Sequence, residues 1–249
     1  MRRRTVLITG GAKRLGAAIV RAVAAAGHRP VIHYGTSRAE AEALAEETGG
    51  IAVGGDLANL AGLPALFARA IEAGGGAIDG LVNSASAFAY DRPEAIDHAL
   101  ALRLQAVNCL APALLAQALA AQPGLEDGAV VNLLDQKLAN PNPDFFSYSL
   151  TKYALGGATE MLAQALAPRV RVNAVSPGLT LPSGDQSGAE FARVASMNLL
   201  GRPVDAEEVA RGVVYLLDAR SVTGQNLFVD CGQRFLKREG DVMFEGRDG

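Results

Sequence analysis

The sequence predicts a single α/β domain, with a doubly wound, seven-stranded, mostly parallel sheet flanked by helices. Three observations carry this. Apolar runs RTVLIT, RPVIHY and GIAVGG alternate with Ala-rich helical patterns from the N-terminus onward, the strand-then-helix rhythm of βαβ units. The later apolar runs lack the in-and-out alternation of a half-wet antiparallel sheet, as expected of strands covered on both faces. The 249 residues, 49% hydrophobic and 20% charged, suffice for one large core, and no linker divides them into comparable halves.

The elements follow in order. Residues 5–9 form the first strand, RPVIHY the second and GIAVGG the third. Four more are expected at 78–83, 129–134, 170–175 and 226–229. Helices are expected at about 14–27, 37–48, 60–73, 94–121, 147–167 and 205–218. Asp205-Ala206-Glu207-Glu208 places carboxylates in the favourable first turn of the last helix. Residues 178–200 have no firm periodicity and contain Pro182, Ser183, Gly184 and Gly188. They read as a substrate loop able to close over a ligand. The polar tail, 233–249, reads either as a flexible terminus or as a segment whose Phe235, Met243 and Phe244 dock on a neighbouring subunit and complete its active site.

Several function classes are disfavoured. Twenty-three Lys and Arg against 26 Asp and Glu give a net charge of -3, too balanced for a nucleic-acid binder. Cys109 and Cys231 form no CxxC pair, so neither a disulfide framework nor a Cys-based zinc site is expected, and a reducing cytoplasm is the simplest location. Arg2, Arg3 and Arg4 precede too short an apolar stretch for a targeting segment. No uninterrupted apolar run approaches about 18 residues, so no membrane partner is expected. His28, His33 and His98 lack metal-ligand spacing, and Asp79, Asp91 and Asp97 suit turns or helix starts, so no metal is expected.

The first strand leads into Thr9-Gly10-Gly11-Ala12-Lys13-Arg14-Leu15-Gly16. Glycines here let the backbone turn and approach a pyrophosphate, while the next helix presents free amides, as in a Rossmann-type dinucleotide loop. Arg14 stands where such a loop often has another glycine, and its guanidinium offers donors to phosphate or substrate. The second strand ends in His33-Tyr34-Gly35-Thr36-Ser37-Arg38, without the carboxylate that binds the ribose hydroxyls of NAD. Ser37 and Arg38 instead suit a 2'-phosphate, favouring NADPH. Asp56, followed by Leu57, is placed to accept from adenine, and Asn83-Ser84-Ala85-Ser86 lets backbone approach the cofactor.

Tyr148 and Lys152, four apart, share a helix face. An ammonium beside a phenol is expected to lower the phenol's pKa for proton transfer. Asp135, at the end of the fifth strand, and Asn108, in an otherwise apolar helix, are expected to converge on the same sheet edge.

In this order, TGGAKRLG, Asp56-Leu57, NSAS, Asn108, YSLTK and Pro177-Gly178 resemble the short-chain dehydrogenase/reductase family over residues 5 to 232. The resemblance implies that Tyr148 transfers the proton, Lys152 binds the nicotinamide ribose and tunes the tyrosine, Asn108 supports a water relay, and Pro177 and Gly178 border the cofactor. It also implies a homotetramer. Asp135 replaces the serine that usually contacts a substrate carbonyl. A carboxylate would repel the charge developing on a ketone oxygen. This departure, with Arg14-Leu15-Gly16, His33-Tyr34 and Ser86-Ala87-Phe88, is similar to the pteridine reductase and dihydromonapterin reductase branch. Thr36, where the protozoan pteridine reductases usually have arginine, and Ala87 depart from its pattern. By this likeness Phe88 covers a flat pterin, Ser86, Arg14 and Leu181 contact it, and Asp135 with Tyr148 organises proton delivery. The implied reaction is NADPH-dependent reduction of a pterin-type C=N bond. The alternatives are a 3-oxoacyl or small-ketone reductase and a non-catalytic NADP-binding regulatory protein.

Overall fold

The computed structural model describes residues 2–182 and 187–245. Seven parallel strands form one sheet, β1 (Thr5–Thr9), β2 (Arg29–Tyr34), β3 (Ile51–Gly54), β4 (Gly80–Asn83), β5 (Gly128–Leu133), β6 (Val170–Pro177) and β7 (Asn226–Val229). Their order is β3-β2-β1-β4-β5-β6-β7, so the chain reverses direction across the sheet between β1 and β4. Open α/β sheets bind ligands in the crevice that such a reversal opens at the carboxyl ends of the strands.

Both faces of the sheet are buried, as the unalternating strands required. Val6 and Ile8 join one apolar layer with Ile19, Val20, Val213 and Leu217, contributed by α1 (Arg14–Ala25) and α8 (Ala206–Asp218). Leu7, pointing the other way, joins Leu66, Phe67, Leu115 and Leu119 from α3 (Leu63–Gly74) and α5 (Ala111–Ala120). The remaining helices are α2 (Arg38–Thr48), α4 (His98–Gln105), α6 (Phe146–Leu166) and α7 (Gly188–Ala195).

Three expectations need correction. The helix expected from 94 starts only at His98, because Asp97 caps it by accepting from the amides of Ala99 and Leu100 at 2.8 and 3.1 Å. It opens into a π turn at Ala106–Leu110 before α5. Pro112 has no amide to bond the carbonyl four residues back, which suits a widened turn at this point. The whole run His98–Ala120 spans 23 residues and contains an 18-residue window of mean hydropathy 1.5, long and apolar enough to cross a membrane by length and composition. This departs from the expectation that no segment would be. Its averaged hydropathy is high although Arg103, Asn108 and Gln117 interrupt it, and its Leu104, Leu115 and Leu119 are core residues. Within the expected substrate loop, Gly188–Ala195 is helical. Ser187 accepts from the Glu190 amide at 3.2 Å while the Glu190 carboxylate accepts from the Ser187 amide at 2.7 Å, a capping box that Ser187-x-x-Glu190 made legible. Ser183 and Gly184 lie outside the described residues.

Candidate active site

The carboxyl ends of β1, β4, β5 and β6 surround a cleft of about 1160 Å³. The turn after β1 contributes Gly10, Lys13, Arg14, Leu15 and Gly16, and the end of β4 contributes Ser84, Ala85, Ser86 and Phe88. Asp135, Tyr148 and Lys152 lie deeper, with Pro177, Gly178 and Leu181 opposite.

Two glycines set the phosphate turn. A Cβ at Gly16 would lie 2.0 Å from the Gly10 carbonyl oxygen, and one at Gly10, whose φ is +63°, would lie 2.8 Å from Ala85 Cα. Arg14 has φ 54°, which explains why glycine suits that position and costs about 1–2 kcal/mol for a residue with a Cβ. Its guanidinium donates to the Pro182 carbonyl at 2.6 Å, joining the turn to the loop after β6. Thr9, not singled out from sequence, accepts at Oγ1 from the amides of Ser84 and Ala85, each at 3.1 Å, and fixes the end of β4 against β1. Its position at the last residue of the strand, before Gly10, was the available signal.

Several sequence candidates stand behind the cleft or at its far edge. His33 is buried, with Nδ1 accepting from the Gly10 amide at 3.2 Å and Nε2 3.1 Å from the Gly55 carbonyl. It pins the turn from behind, and burial pushes its pKa down to about 4. Tyr34 is also buried, and the Arg38 guanidinium lies 5.7 Å from its ring centre and 3.6 Å from Glu42. Ser37 precedes α2 without a side-chain capping bond. Lys13 reaches Glu40 in the first turn of α2 at 2.6 Å. Asp56 accepts from the Ala58 amide at 2.9 Å, and Leu57 is buried. Asn83 donates to Asn132 at 2.8 Å, which donates to Thr159 at 2.9 Å, tying β4, β5 and α6 together below the cleft.

Asn108 is 1% exposed and is not among the residues that line the cleft. Its Oδ1 accepts from the Ala87 amide at 2.8 Å and the Ser86 hydroxyl at 3.4 Å, while Nδ2 donates to the Ala87 carbonyl at 2.8 Å and Thr151 at 3.1 Å. The π turn thus presents Asn108 as a clamp on the segment carrying Phe88.

Tyr148 donates to Asp135 Oδ2 at 2.9 Å, and Asp135 Oδ1 accepts from the Lys137 amide at 2.8 Å. Asp135 therefore caps the turn after β5 and also faces the phenol. Burial raises its pKa, partly offset by those two bonds and the Lys152 charge, while Asp241 adds to the rise. The expectation for Tyr148 is reversed. Its phenol is pushed well above its ordinary value, first by burial, then by the charge and hydrogen bond of Asp135, with a further contribution from Asp241. Lys152 Nζ lies 5.5 Å from the Tyr148 ring centre and donates to the Leu133 carbonyl at 2.8 Å. Burial lowers its own pKa to about 8. Both partners of the acid pair hold protons more tightly than in water.

Phe88, 48% exposed, stacks on Phe145 at 4.3 Å between ring centres and meets Tyr148 edge-on at 4.7 Å. Phe145, missed in the sequence, occupies the residue before α6 at φ 53°. The aromatic pair Phe145-Phe146 just ahead of Tyr148 was its signal. The tail also departs from expectation. Met243 and Phe244 dock on their own chain, against Phe145, Tyr148 and Leu104, and line the cleft. Phe235 remains 63% exposed. Among the described residues no group of three or more His, Cys, Asp or Glu is arranged to hold a metal.

A family model described as enoyl-(acyl carrier protein) reductase matches residues 10–234. The structure of FolM alternative dihydrofolate reductase 1 from Brucella suis, in complex with NADP, superposes with a TM-score of 0.90 at 42% identity, covering 94% of this chain and 96% of that one. Pteridine reductase 1 of Leishmania tarentolae is 32% identical over 91% of this chain and 94% of its own length. Dihydromonapterin reductase of Enterobacter sp. (strain 638) is 28% identical over 92% and 96% respectively.

Proposed function

The chain belongs to the short-chain dehydrogenase/reductase family, and from that premise we propose that it reduces a pterin-type C=N bond with NADPH. The observation that carries the reading is the 2.9 Å bond between Tyr148 and Asp135. A hydroxyl donor at position 135 would suit a carbonyl oxygen. A buried carboxyl group instead suits a ring bearing amino and N–H donors, with a protonated phenol beside it.

The residues fit a dinucleotide. Gly10 and Gly16 leave bare backbone where a Cβ would collide with protein atoms, and the N-terminus of α1 directs its amides toward a pyrophosphate. The NADP-bound relative at 42% identity supports that cofactor, as do Arg38 at the start of α2 and the lack of a carboxylate between β2 and Arg38. Bound there, NADPH supplies the hydride to the carbon of the C=N bond. Tyr148 holds the proton destined for the adjacent nitrogen, and Asp135 orients the phenol and re-equilibrates its proton. Lys152 contributes positive charge from the carbonyl end of β5. Phe88, backed by Phe145, offers a flat wall that excludes water from one side.

The test is NADPH oxidation by purified protein against dihydropterins, dihydrofolate, quinones and β-keto esters, with Asp135→Ser alongside. We expect pterin turnover that falls about a hundredfold in the variant. Full pterin turnover in Asp135→Ser, or turnover of β-keto esters alone by the unaltered protein, overturns the reading.

A further inference from the structure

The cleft continues outward from Tyr148 along a run of rings. Phe88 stacks on Phe145 with planes 21° apart, and Phe145 stacks on Phe244 at 5.9 Å with planes 5° apart. Tyr90 meets Phe145 and Phe244 edge-on at 5.2 and 5.4 Å. The outer part of this strip belongs to the segment 240–245, a strap whose Met243 and Phe244 line the cleft.

Polar bonds fasten the strap at both ends. Lys137, 5% exposed, donates to the Asp144 carbonyl and reaches Asp241 Oδ2 at 3.2 Å. The Asp241 amide donates to Asp144 Oδ2 at 2.8 Å, and Asp241 Oδ1 accepts from the Met243 amide at 3.1 Å. At the other end Arg238 pairs with Glu245, and Arg193 of α7 donates to the Glu245 carbonyl at 3.4 Å. Releasing the strap would leave the Lys137 ammonium buried without its carboxylate, which is strongly unfavourable.

We propose that this strap determines substrate specificity, with Asp241 latched by Lys137 so that Phe244 and Met243 complete an aryl-binding strip. The strip selects a reduced pterin with a flat aryl substituent over one with a polyhydroxylated alkyl chain. The inference rests on the pterin reading and names the substrate class within it. An aryl group gains ring contacts beyond simple burial of area. Hydroxyls laid on the same rings lose water, and beside the strap Asp144 Oδ1 already accepts from Arg92 at 2.8 Å while Lys137 and Asp241 hold each other. Asp241 is a positioning residue, because it acts through the strap and does not line the cleft.

The experiment compares kcat/KM for 7,8-dihydrofolate and 7,8-dihydromonapterin, with 6-methyl-7,8-dihydropterin as a short reference, in the unaltered protein, Phe244→Leu and Asp241→Asn. Binding to the NADP-loaded protein and thermal melting are followed in parallel. The unaltered protein is expected to favour the aryl substrate. Phe244→Leu lowers the aryl-to-polyhydroxyalkyl ratio about tenfold, mainly through KM, and Asp241→Asn moves it the same way by a smaller factor in a folded protein. An unchanged ratio in Phe244→Leu, or a preference of the unaltered protein for the polyhydroxylated chain, overturns this inference while pterin turnover stands. Absence of both binding and turnover of all three pterins overturns the proposed function and this inference with it.

Discussion

Tyr148 gives its hydrogen bond to Asp135, at 2.9 Å, and Lys152 one turn later gives its own to the Leu133 carbonyl, at 2.8 Å. The lysine ammonium therefore lies over the ring, 5.5 Å from its centre, and shares no proton with the phenol. Burial of the phenol, with the charge and hydrogen bond of Asp135, raises the cost of ionising it. The arrangement stores a proton, which suits reduction better than oxidation at neutral pH.

Loss of the Lys152 charge predicts an alkaline limit. Its pKa of about 8 lies below the ordinary lysine value of 10.5, so the unfolded chain holds the proton through that interval while the folded one does not. Stability should rise from about pH 8 toward pH 10.5, by an amount on the order of 3 kcal/mol in total. Activity should move the opposite way, falling as pH passes about 8. A pH–rate profile for kcat/KM checks this against thermal melts over the same range, and Lys152→Met should abolish both the descending limb and the rise in stability.

Arg38 offers a guanidinium beside the Tyr34 ring at the end of β2, and it pairs with exposed Glu42 at 3.6 Å. A 2'-phosphate reached by it would form a charge-assisted bond. Arg38→Ala should raise the KM for NADPH tenfold or more, roughly the 1.5–3 kcal/mol of such a bond, and leave that for NADH nearly unchanged. Initial-rate kinetics with both cofactors decide it, and equal effects remove Arg38 from the phosphate pocket.

The parts of the site that were legible in sequence are those set by spacing along one element. Tyr148 and Lys152 share a face of α6 because four residues nearly complete a turn, and the glycine turn after β1 follows from backbone constraint. Asn108 shows where this reasoning stops. Its residue type marked it as unusual in an apolar helix, but the π turn that aims it at Ala87 depends on local hydrogen bonding that periodicity averages away. Phe145 and Phe244 are 99 positions apart in the sequence, and only tertiary docking of the strap brings their rings together. The charge of Asp241 reaches Asp135 by the same route.

His33 makes acid sensitivity local to the phosphate turn. Its folded pKa of about 4 lies below the ordinary histidine value of 6.5, so the unfolded chain takes up a proton first as pH falls. The stability it contributes is complete above about pH 6.5 and is lost on the way down to about pH 4, a loss on the order of 3 kcal/mol. Denaturant melts at pH 7.5 and 4.5 should show a smaller drop for His33→Gln than for the unaltered protein. The variant should also weaken NADPH binding at pH 7.5, since the Gly10 amide loses its imidazole acceptor. Equal drops in both proteins would show that other groups carry the acid sensitivity.

Asn108 separates two roles that kinetics can distinguish. A residue serving a water relay would, when removed, slow proton delivery and lower kcat while melting temperature and pterin KM stayed put. A residue clamping the Ser86–Phe88 segment would leave the Ala87 amide and carbonyl without their partners, costing about 2–4 kcal/mol. The observed bonds commit both amide atoms to Ala87, and the Thr151 hydroxyl takes the other donor position of Nδ2. Asn108→Ala should therefore lower the melting temperature by several degrees. It should also raise the pterin KM as Phe88 loses its seat, with kcat changing less. A variant with normal stability and KM but depressed kcat would return Asn108 to the proton path.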